Sequence, residues 1–372
     1  MYQVERAIFD LRRGLPVIID GDHEGSDAGV LVYPVESIAD TDLRETLELA
    51  GGEPALTVTR HRLEAMGFSI HAEAACLPLH GADGLRAEAL YLAAASSEGI
   101  RAGLFDDPRP ASATERAGLA LMRRALLVPA ALTARIDGSR RAALESMVAE
   151  GRLLRVSARS AESCFESGTG MLRRVSEADV PLAESVRSRF ILFREPDGLR
   201  EHVAVVIGDA ASWAEEVPVR LHSACLTGDL FGSLRCDCGE QLQNAVRTIA
   251  DLGGGLLLYL AQEGRGIGLA NKLRAYELQD AGLDTVDADQ VLGFSEDERR
   301  YRVAVDILAA LSIRRVRLLT NNPNKVQALA EGGIDVAGRG SLYGRVTRQN
   351  RRYLEAKARR SGHLLGDVLD EQ

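Results

Sequence analysis

Residues 219–241 read V-R-L-H-S-A-C-L-T-G-D-L-F-G-S-L-R-C-D-C-G-E-Q and contain three of the five cysteines of the chain. These are Cys225, Cys236 and Cys238. Thiolates are soft ligands that suit zinc. Three protein ligands without a fourth nearby are typical of catalytic zinc, which keeps one coordination position for water. The spacing therefore predicts a zinc site that can activate a water molecule.

Two other interpretations of the cysteines are core packing and a disulfide. Cysteines often fill apolar cores, but the many charged and polar residues in the same stretch make such a core unfavourable. Those residues include Arg220, His222, Asp229, Arg235 and Asp237. The odd number of cysteines and an N-terminus without secretory-signal features argue against a disulfide. Metal binding is the interpretation that the stretch favours.

The composition limits the classes of function. The chain has 372 residues, 46% of them apolar, and a formal charge of −9 from 45 basic and 54 acidic residues. This length suits two or three domains, and a mildly acidic balance argues against general nucleic-acid binding. Since no uncharged apolar run approaches membrane-spanning length, we predict no membrane span. The expected location is the cytoplasm, where thiols remain reduced.

The segments on either side of the cysteine stretch predict an α/β fold. Short apolar runs indicate strands, and helical periodicity alternates with them in the second half of the chain. The predicted strands are residues 15–20, 30–34, 55–59, 203–207, 217–221, 256–260 and 316–320. We predict two domains, 1–175 and 176–372, each a mixed sheet packed with helices. The serine- and glycine-rich residues 157–170 suit the connector between the domains.

A glycine-rich turn follows one of these strands and opens a helix. Residues 263–268 read E-G-R-G-I-G, and Lys272 and Arg274 come just beyond them. Glycines let the backbone approach an anion, and a helix N-terminus favours negative charge. The alternative is a turn without a binding role.

A second loop of this kind follows the strand at 316–320. Residues 320–325 read T-N-N-P-N-K, with Asn322 placed to cap a helix and Pro323 at its first position. Lys325 would lie in the first turn, where the helix dipole disfavours a cation. A bound anion would remove that conflict. The alternative is a lysine that points to solvent.

Several basic residues in these motifs would suit a polyphosphate, which arginine can grip with two hydrogen bonds. They are Arg220, Arg235, Arg265, Arg299 and Lys325. Asp297 and Glu298 precede an amphipathic helix, and on composition alone they could simply be helix-start residues. A zinc-activated water beside phosphate-binding residues suggests hydrolysis of a phosphorylated substrate.

Six ordered motifs together resemble GTP cyclohydrolase II, over about residues 180–366. They are residues 220–241 and the segments Q-E-G-R-G-I-G-L, N-K-L-R-A-Y-E-L-Q-D, L-G-F-S-E-D-E-R, R-L-L-T-N-N-P-N-K and G-H-L-L. This family opens the imidazole ring of GTP and releases formate and pyrophosphate. The product is a diaminopyrimidinone with a phosphoribosylamino group, and the reaction is the first step of riboflavin biosynthesis.

The resemblance implies a role for individual residues. Cys225, Cys236 and Cys238 would hold one zinc ion per chain. Arg299 matches the arginine proposed as the nucleophile at the α-phosphate, and the alternative is that it stabilises phosphoryl charge, the more ordinary role for a group with a pKa above about 12. Asp297 would accept a proton, and Tyr276 would lie near the zinc site. The implied substrate contacts are Arg220, Gln241, Glu263, Arg265, Thr285, Thr320 and Lys325. The resemblance also implies magnesium on the triphosphate and a homodimer.

The first domain weakly resembles dihydroxybutanone phosphate synthase, a usual fusion partner of this family. The acids of its expected metal-binding loop remain as Asp20, Asp22, Glu24 and Asp27, but the loop's arginine and asparagine are replaced. The family's G-H-T-E-A-A motif is also missing, and neither His71 nor His80 lies in such a motif. We expect a retained fold, lost synthase chemistry and a scaffolding role.

Two departures from the cyclohydrolase pattern keep other functions open. Ala224 stands where many members have glutamate, and Ala261 replaces a basic or polar residue of some members. One alternative is a diverged cyclohydrolase for another purine nucleotide. The other is a zinc- and nucleotide-binding regulatory protein without turnover.

Overall fold

The computed structural model describes residues 2–21, 29–79, 86–96, 104–165, 172–360 and 364. The chain forms two compact units. The first comprises Met1–Ser167 with Ala270–Asp297, and the second comprises Gly168–Leu269 with Glu298–Gln372. Each unit has its own seven-stranded sheet. The predicted α/β class, with two mixed sheets packed by helices, is confirmed.

The first unit contains the first half of the secondary structure. Strands β1 to β7 span Val17–Asp20, Val30–Pro34, Gly51–Thr59, Ala74–Pro78, Arg109–Pro110, Ala130–Ile136 and Leu154–Ser157. Helices α1 to α7 span Tyr2–Arg12, Asp40–Ala50, Arg60–Ala65, Ala87–Ala95, Ala113–Arg124, Arg141–Ala149 and Ala158–Glu162. Short 3-10 helices cover Gly138–Arg140 and Ser163–Phe165.

The remaining elements follow in chain order. Strands β8 to β14 span Arg173–Asp179, Ser188–Arg194, Glu201–Ile207, Val217–Ser223, Gly255–Leu260, Arg315–Leu319 and Asp335–Gly340. Helices α8 to α14 span Leu226–Asp229, Cys238–Asp251, Leu269–Asp280, Thr285–Val291, Arg302–Ala310, Pro323–Glu331 and Arg351–Arg360. Ala210–Ser212 and Glu263–Gly266 are 3-10 helices. Helix α10, from Ala270 onward, and helix α11 belong to the first unit.

The first sheet is mostly antiparallel. Its strand order is β5-β4-β3-β6-β2-β1-β7, and only the β1/β7 pair is parallel among these neighbours. Leu56 and Leu132 lie in one cluster of buried side chains with Leu63 of α3 and Leu90 of α4. Burial of such apolar surface is the main term that stabilises the unit.

The second sheet combines an antiparallel half with a parallel half. Its order is β14-β13-β11-β12-β10-β9-β8, and β14, β13, β11 and β12 run parallel to one another. Alternate residues of β12 face opposite sides. Leu257 packs in a cluster with Ile249 of α9, whereas Leu258 packs in a cluster with Ile307 of α12. Helices therefore cover both faces, so the loops beyond the strand ends are the open surface for a site.

Most predicted elements are confirmed, and one prediction is wrong in part. The strand at 30–34 and the helix after Asn322 have the predicted bounds and cap. The connector predicted at 157–170 is wrong over residues 158–162, which form α7. The side chain of Ser157 accepts a hydrogen bond from the Ser160 amide (3.2 Å) and so caps this helix. Sequence reasoning took this serine as a loop residue.

The division into units and the predicted domains place parts of the chain differently. The units separate at Ser167/Gly168, but residues 270–297 pack with the first unit although they lie inside the predicted second domain. The assignment of functions to residues 1–175 and 176–372 stays a prediction. No helix in the described part of the chain combines the length and apolar composition of a bilayer span.

Candidate metal centre and anion site

Three neighbouring parallel strands bring distant motifs to one edge of the second sheet. Strand β11 leads into Cys225, β12 leads into the turn Glu263–Gly266, and β13 leads into Thr320. The carboxyl ends of parallel strands point the same way, and ligand sites of open α/β sheets lie just outside them. The topology thus explains how segments almost a hundred residues apart can share one site.

The three cysteines form a group with zinc-like spacing. The Sγ atoms of Cys225, Cys236 and Cys238 all lie within 4.8 Å of one another. The Sγ atoms of Cys225 and Cys236 are 3.7 Å apart. In a tetrahedral site with Zn–S bonds of about 2.3 Å, two sulfur atoms lie about 3.8 Å apart. The residues present therefore fit zinc, and this is the one such group among the described residues.

A glycine makes room for this group. A Cβ atom on Gly228 would lie 2.7 Å from Sγ of Cys236 and 3.1 Å from Sγ of Cys225. Both distances are much shorter than an ordinary van der Waals contact. The thiols therefore surround a position where only glycine fits, and we expect Gly228→Ala to displace the ligands.

The carboxylate of Asp229 holds the backbone at the first cysteine. Its Oδ2 accepts hydrogen bonds from the amide of Cys225 (2.9 Å) and the hydroxyl of Tyr259 (2.9 Å), and its Oδ1 contacts Nε2 of His222 (3.0 Å). Burial lowers the pKa of His222, although Asp229 opposes this, and burial also raises the pKa of Tyr259. The tyrosine thus stays protonated as a donor. His222, the imidazole near the cysteines in sequence, supports this network and is not in the metal-ligand group.

We expect Asp229→Ala to weaken zinc binding by about 10- to 100-fold, because ligand-supporting residues of metal sites have effects of this size. Loss of the carboxylate leaves the Cys225 amide and the His222 ring without their acceptor. The measurement is zinc retention against a competing chelator, with Asp251→Ala, an exposed change at the end of α9, as the matched control. Equal zinc affinity in the two variants would contradict the role of Asp229.

The glycine-rich turn is joined to the metal loop. Oε2 of Glu263 accepts a hydrogen bond from the amide of Leu226 (2.6 Å), directly after the first cysteine. Gly264 and Arg265 both have left-handed backbone, with φ of 61° and 60°. This conformation is costly for arginine. A non-glycine residue keeps such a strained backbone only where neighbouring contacts hold it in place. The conformation of this turn is therefore fixed by its surroundings.

Another predicted motif lies behind this turn. A Cβ on Gly266 would lie 2.9 Å from the carbonyl carbon of Glu298 and 3.2 Å from the amide of Arg299. The amide of Glu298 also donates to the carbonyl oxygen of Arg265 (3.1 Å). The backbone of the predicted catalytic Arg299 is therefore fixed against the glycine-rich turn.

Two cations approach the ring of Tyr301. The guanidinium carbon of Arg299 is 5.7 Å from the ring centroid, and Nζ of Lys325 is 5.6 Å from it. Lys325 is buried, and its ammonium donates to the carbonyl oxygen of Leu221 on β11 (2.8 Å). The alternative that Lys325 points to solvent is therefore wrong. Tyr301 was not predicted as a site residue, and the only hint in the sequence is that it lies two residues after Arg299.

A third cation lies at the same sheet edge. Arg220 is 5% exposed, and its guanidinium donates to the carbonyl oxygen of Leu319 (2.9 Å) and to Oε1 of Gln241 (2.7 Å). Burial lowers the pKa of Arg220 to about 10, so it remains charged at neutral pH. Its buried Nε has no hydrogen-bond partner among the described residues. Such an arrangement of cations is suited to an anionic ligand.

A cavity of about 320 Å³ borders the metal loop. Such a volume lies in the range of small-molecule sites. Its polar lining includes Asp229, Cys236, Glu240, Gln243, Arg345 and Thr347. The amide of Arg345 donates to Glu240 (2.6 Å). Sequence reasoning missed Arg345, because it lies in no motif.

The remaining predicted residues are distributed over both units. Thr320 is buried, and its hydroxyl accepts a hydrogen bond from the amide of Asn322 (3.0 Å). Tyr276 on α10, Thr285 at the start of α11, and Asp297 belong to the first unit. Their roles stay predictions. Of the G-H-L-L motif, the described residues include only Leu364.

A family match covers the part of the chain that contains most of these motifs. The family profile for GTP cyclohydrolase II matches residues 173–341. Among solved structures, a two-domain 3,4-dihydroxy-2-butanone 4-phosphate synthase from A. baumannii is 19% identical with a TM-score of 0.37, covering 91% of this chain and 98% of that one.

Curated relatives match either the second half of the chain or nearly all of it. A GTP cyclohydrolase-2 from Pasteurella multocida is 48% identical over 194 residues, which are 52% of this chain and 88% of that protein. A GTP cyclohydrolase-2 from Azospirillum brasilense is 43% identical over 372 residues, covering 98% of this chain and 94% of the relative. The resemblance drawn from the motifs is confirmed, and the chain belongs to the GTP cyclohydrolase II family of enzymes.

Proposed function

We propose that this protein hydrolyses GTP in a zinc-dependent reaction that opens the guanine imidazole ring. The products would be formate, pyrophosphate and a diaminopyrimidinone with a phosphoribosylamino group, as the first step of riboflavin biosynthesis. The observation that carries the proposal is the pairing of three thiols at zinc spacing with buried cations at the same sheet edge. A reaction on both a ring carbon and a triphosphate needs both features.

The metal half of the site consists of Cys225, Cys236 and Cys238. A zinc ion held there would supply Lewis-acid chemistry and a water molecule of lowered pKa. Asp229 fixes the backbone amide of Cys225, and Glu263 fixes the next amide along the chain. These two carboxylates hold the metal loop in shape.

The phosphate half consists of Arg220, Arg299 and Lys325, with magnesium proposed on the triphosphate. Arginine keeps its charge throughout catalysis because its pKa is far above neutral. We therefore assign Arg299 the stabilisation of negative charge during cleavage at the α-phosphate. Gln241, Arg265 and Thr320 are proposed as further contacts to GTP.

Three further residues are proposed to have the roles that the family resemblance implies. Asp297 would accept a proton, a role for which a carboxylate is suited. Tyr276 would lie near the reacting ring, and Thr285 would contact the substrate. We also propose that the protein is a homodimer.

The N-terminal domain is proposed as a scaffold without synthase activity. Asp20, at the start of the former acidic loop, forms an ion pair with Arg155 (3.0 Å) on the neighbouring strand β7. An arginine at this distance competes with a metal ion for the carboxylate. The acids at Asp22, Glu24 and Asp27, and also His80, lie outside the described residues.

The test is to incubate the zinc-loaded protein with GTP and magnesium and to measure formate and pyrophosphate. We expect both products. Products from another purine triphosphate but not from GTP would instead favour a diverged cyclohydrolase, for which Ala224 is the motivating residue. Tight nucleotide binding without formate would favour a regulatory protein.

A further inference from the structure

One arginine of the N-terminal sequence is buried against the ends of two helices. Arg62 on α3 is 2% exposed. Its Nε donates to the carbonyl oxygen of Ala93 (2.9 Å), and its Nη2 donates to those of Ser96 (2.8 Å) and Leu92 (3.5 Å). Its Nη1 donates to the carbonyl oxygen of Val291 (2.8 Å). A single guanidinium thus joins α4 to α11, whose last residue lies 229 positions after Arg62.

The electrostatics of the two helices explain this position. Leu92 and Ala93 lie in the last turn of α4, and Val291 is the last residue of α11. Carbonyl groups at a helix end have no partner within the helix, and the helix dipole makes that end negative. Burial lowers the pKa of Arg62 to about 10, so the side chain stays charged at neutral pH. Its planar fork can serve both helix ends at once.

The turn after α11 is fixed by the same part of α3. Gly293 has φ of +87° and closes α11 with the paired backbone hydrogen bonds of a Schellman motif. Its carbonyl oxygen accepts a hydrogen bond from the hydroxyl of Thr59 (2.7 Å), the residue that caps α3. A Cβ on Gly293 would lie 3.0 Å from that hydroxyl and 3.4 Å from Cβ of Arg62. Glycine is therefore required both by its φ and by this close approach.

Helix α10 has separate contacts to the N-terminal sequence. Asn271 is fully buried and donates to the carbonyl oxygen of Leu126 (3.0 Å). Arg274 forms an ion pair with Glu36 (3.0 Å) and donates to the hydroxyl of Tyr91 (3.0 Å). Residues 270–297 are thus held by polar contacts at both of their helices.

We propose that Thr59 and Arg62 are positioning residues for the cyclohydrolase reaction. They fix the end of α11 and the Gly293 turn, and through this backbone they set the place of Asp297. The inference rests on the proposed function, because the role of Asp297 does. The N-terminal domain would then have a structural role, which is to hold residues 270–297, the segment that carries Asp297. A displacement of about 1 Å in a catalytic group can lower turnover by about 100-fold.

The test compares Arg62→Ala, Thr59→Val and Thr59→Ser in the full-length, zinc-loaded protein. Arg60→Ala is the matched control, because Arg60 lies on the same helix with an exposed side chain that pairs with Glu64. We expect Arg62→Ala to lower kcat for formate release by about tenfold or more, with KM for GTP and zinc content unchanged. Thr59→Val should lower kcat by about threefold or more at an unchanged melting temperature. Thr59→Ser, which keeps the hydroxyl, should restore kcat.

The outcomes separate positioning from folding. Full kcat in both Arg62→Ala and Thr59→Val would overturn the proposal, as would losses that appear only in KM or in zinc content. If Arg62→Ala does not fold, the comparison of Thr59→Val with Thr59→Ser decides. Failure of the wild-type protein to release formate would instead overturn the proposed function.

Discussion

Cys236→Ser is expected to purify with almost no zinc and to release no formate from GTP. The three thiols lie within 4.8 Å of one another, with two of the sulfur atoms 3.7 Å apart, and removal of one thiol would leave two protein ligands where a catalytic zinc ion takes three. A serine hydroxyl is a poor substitute, because the thiolate is the form that binds the metal. The measurements are metal content per chain and formate release. We expect about one zinc per chain in the wild type.

This variant also separates the two halves of the proposed site. Cleavage at the α-phosphate is assigned to Arg299 with magnesium, so pyrophosphate release should persist in zinc-free Cys236→Ser. Cys164→Ser is the matched control, since it makes the same chemical change at a cysteine outside the ligand group. Formate from a zinc-free variant, or full zinc in Cys236→Ser, would refute the ligand assignment.

Several strands and helix starts of the second unit could be predicted because short stretches of sequence determine them. The apolar run at 256–260, which follows three glycines, is typical of a buried strand, and Asn322 followed by Pro323 is typical of a helix start. The structure adds hydrogen bonds within these segments, such as that from the Asn324 amide to the side chain of Asn322 (2.9 Å). Here the local preferences and the tertiary structure agree.

Features that depend on long-range contacts could not be predicted in the same way. Lys325 was assigned to a first helical turn, but its burial depends on the carbonyl oxygen of Leu221, 104 residues away. Strand β8 was missed because all seven of its residues are exposed, so no apolar pattern marks it. The contacts of residues 270–297 with the rest of the first unit, among them those of Arg62 with Val291 and Thr59 with Gly293, join residues more than 200 positions apart and leave no local pattern in the sequence.

In the candidate metal site, too, the ligand residues could be predicted from the sequence, but the residue that holds their backbone could not. Cysteine spacing predicted the metal-ligand group directly, and the structure brings these three thiols to within 4.8 Å of one another. Asp229 was recorded only as a charge that argues against an apolar core. Its contact with the Cys225 amide is a backbone interaction, which has no residue-type signature in a sequence.

Arg299→Ala is expected to lower turnover by about 100-fold or more, because loss of one group that stabilises transition-state charge has effects of this size. The backbone of Arg299 is fixed against Gly266, and its guanidinium carbon lies 5.7 Å from the ring centroid of Tyr301. Arg302→Ala is the matched control, since Arg302 is exposed and pairs with Asp306 one helical turn away (3.5 Å).

The lysine variant tests how Arg299 acts. Lysine restores the charge but not the planar fork, so Arg299→Lys should recover little of the lost turnover. Nζ of Lys325 already lies 5.6 Å from the Tyr301 ring, so a point charge is present there without the fork. Pyrophosphate, formate and zinc content should all be measured. If Arg299 acts only in the phosphate step, its variants should lose turnover but keep their full zinc content. Near-native turnover in Arg299→Lys would show that charge alone suffices and would contradict a role that depends on guanidinium geometry.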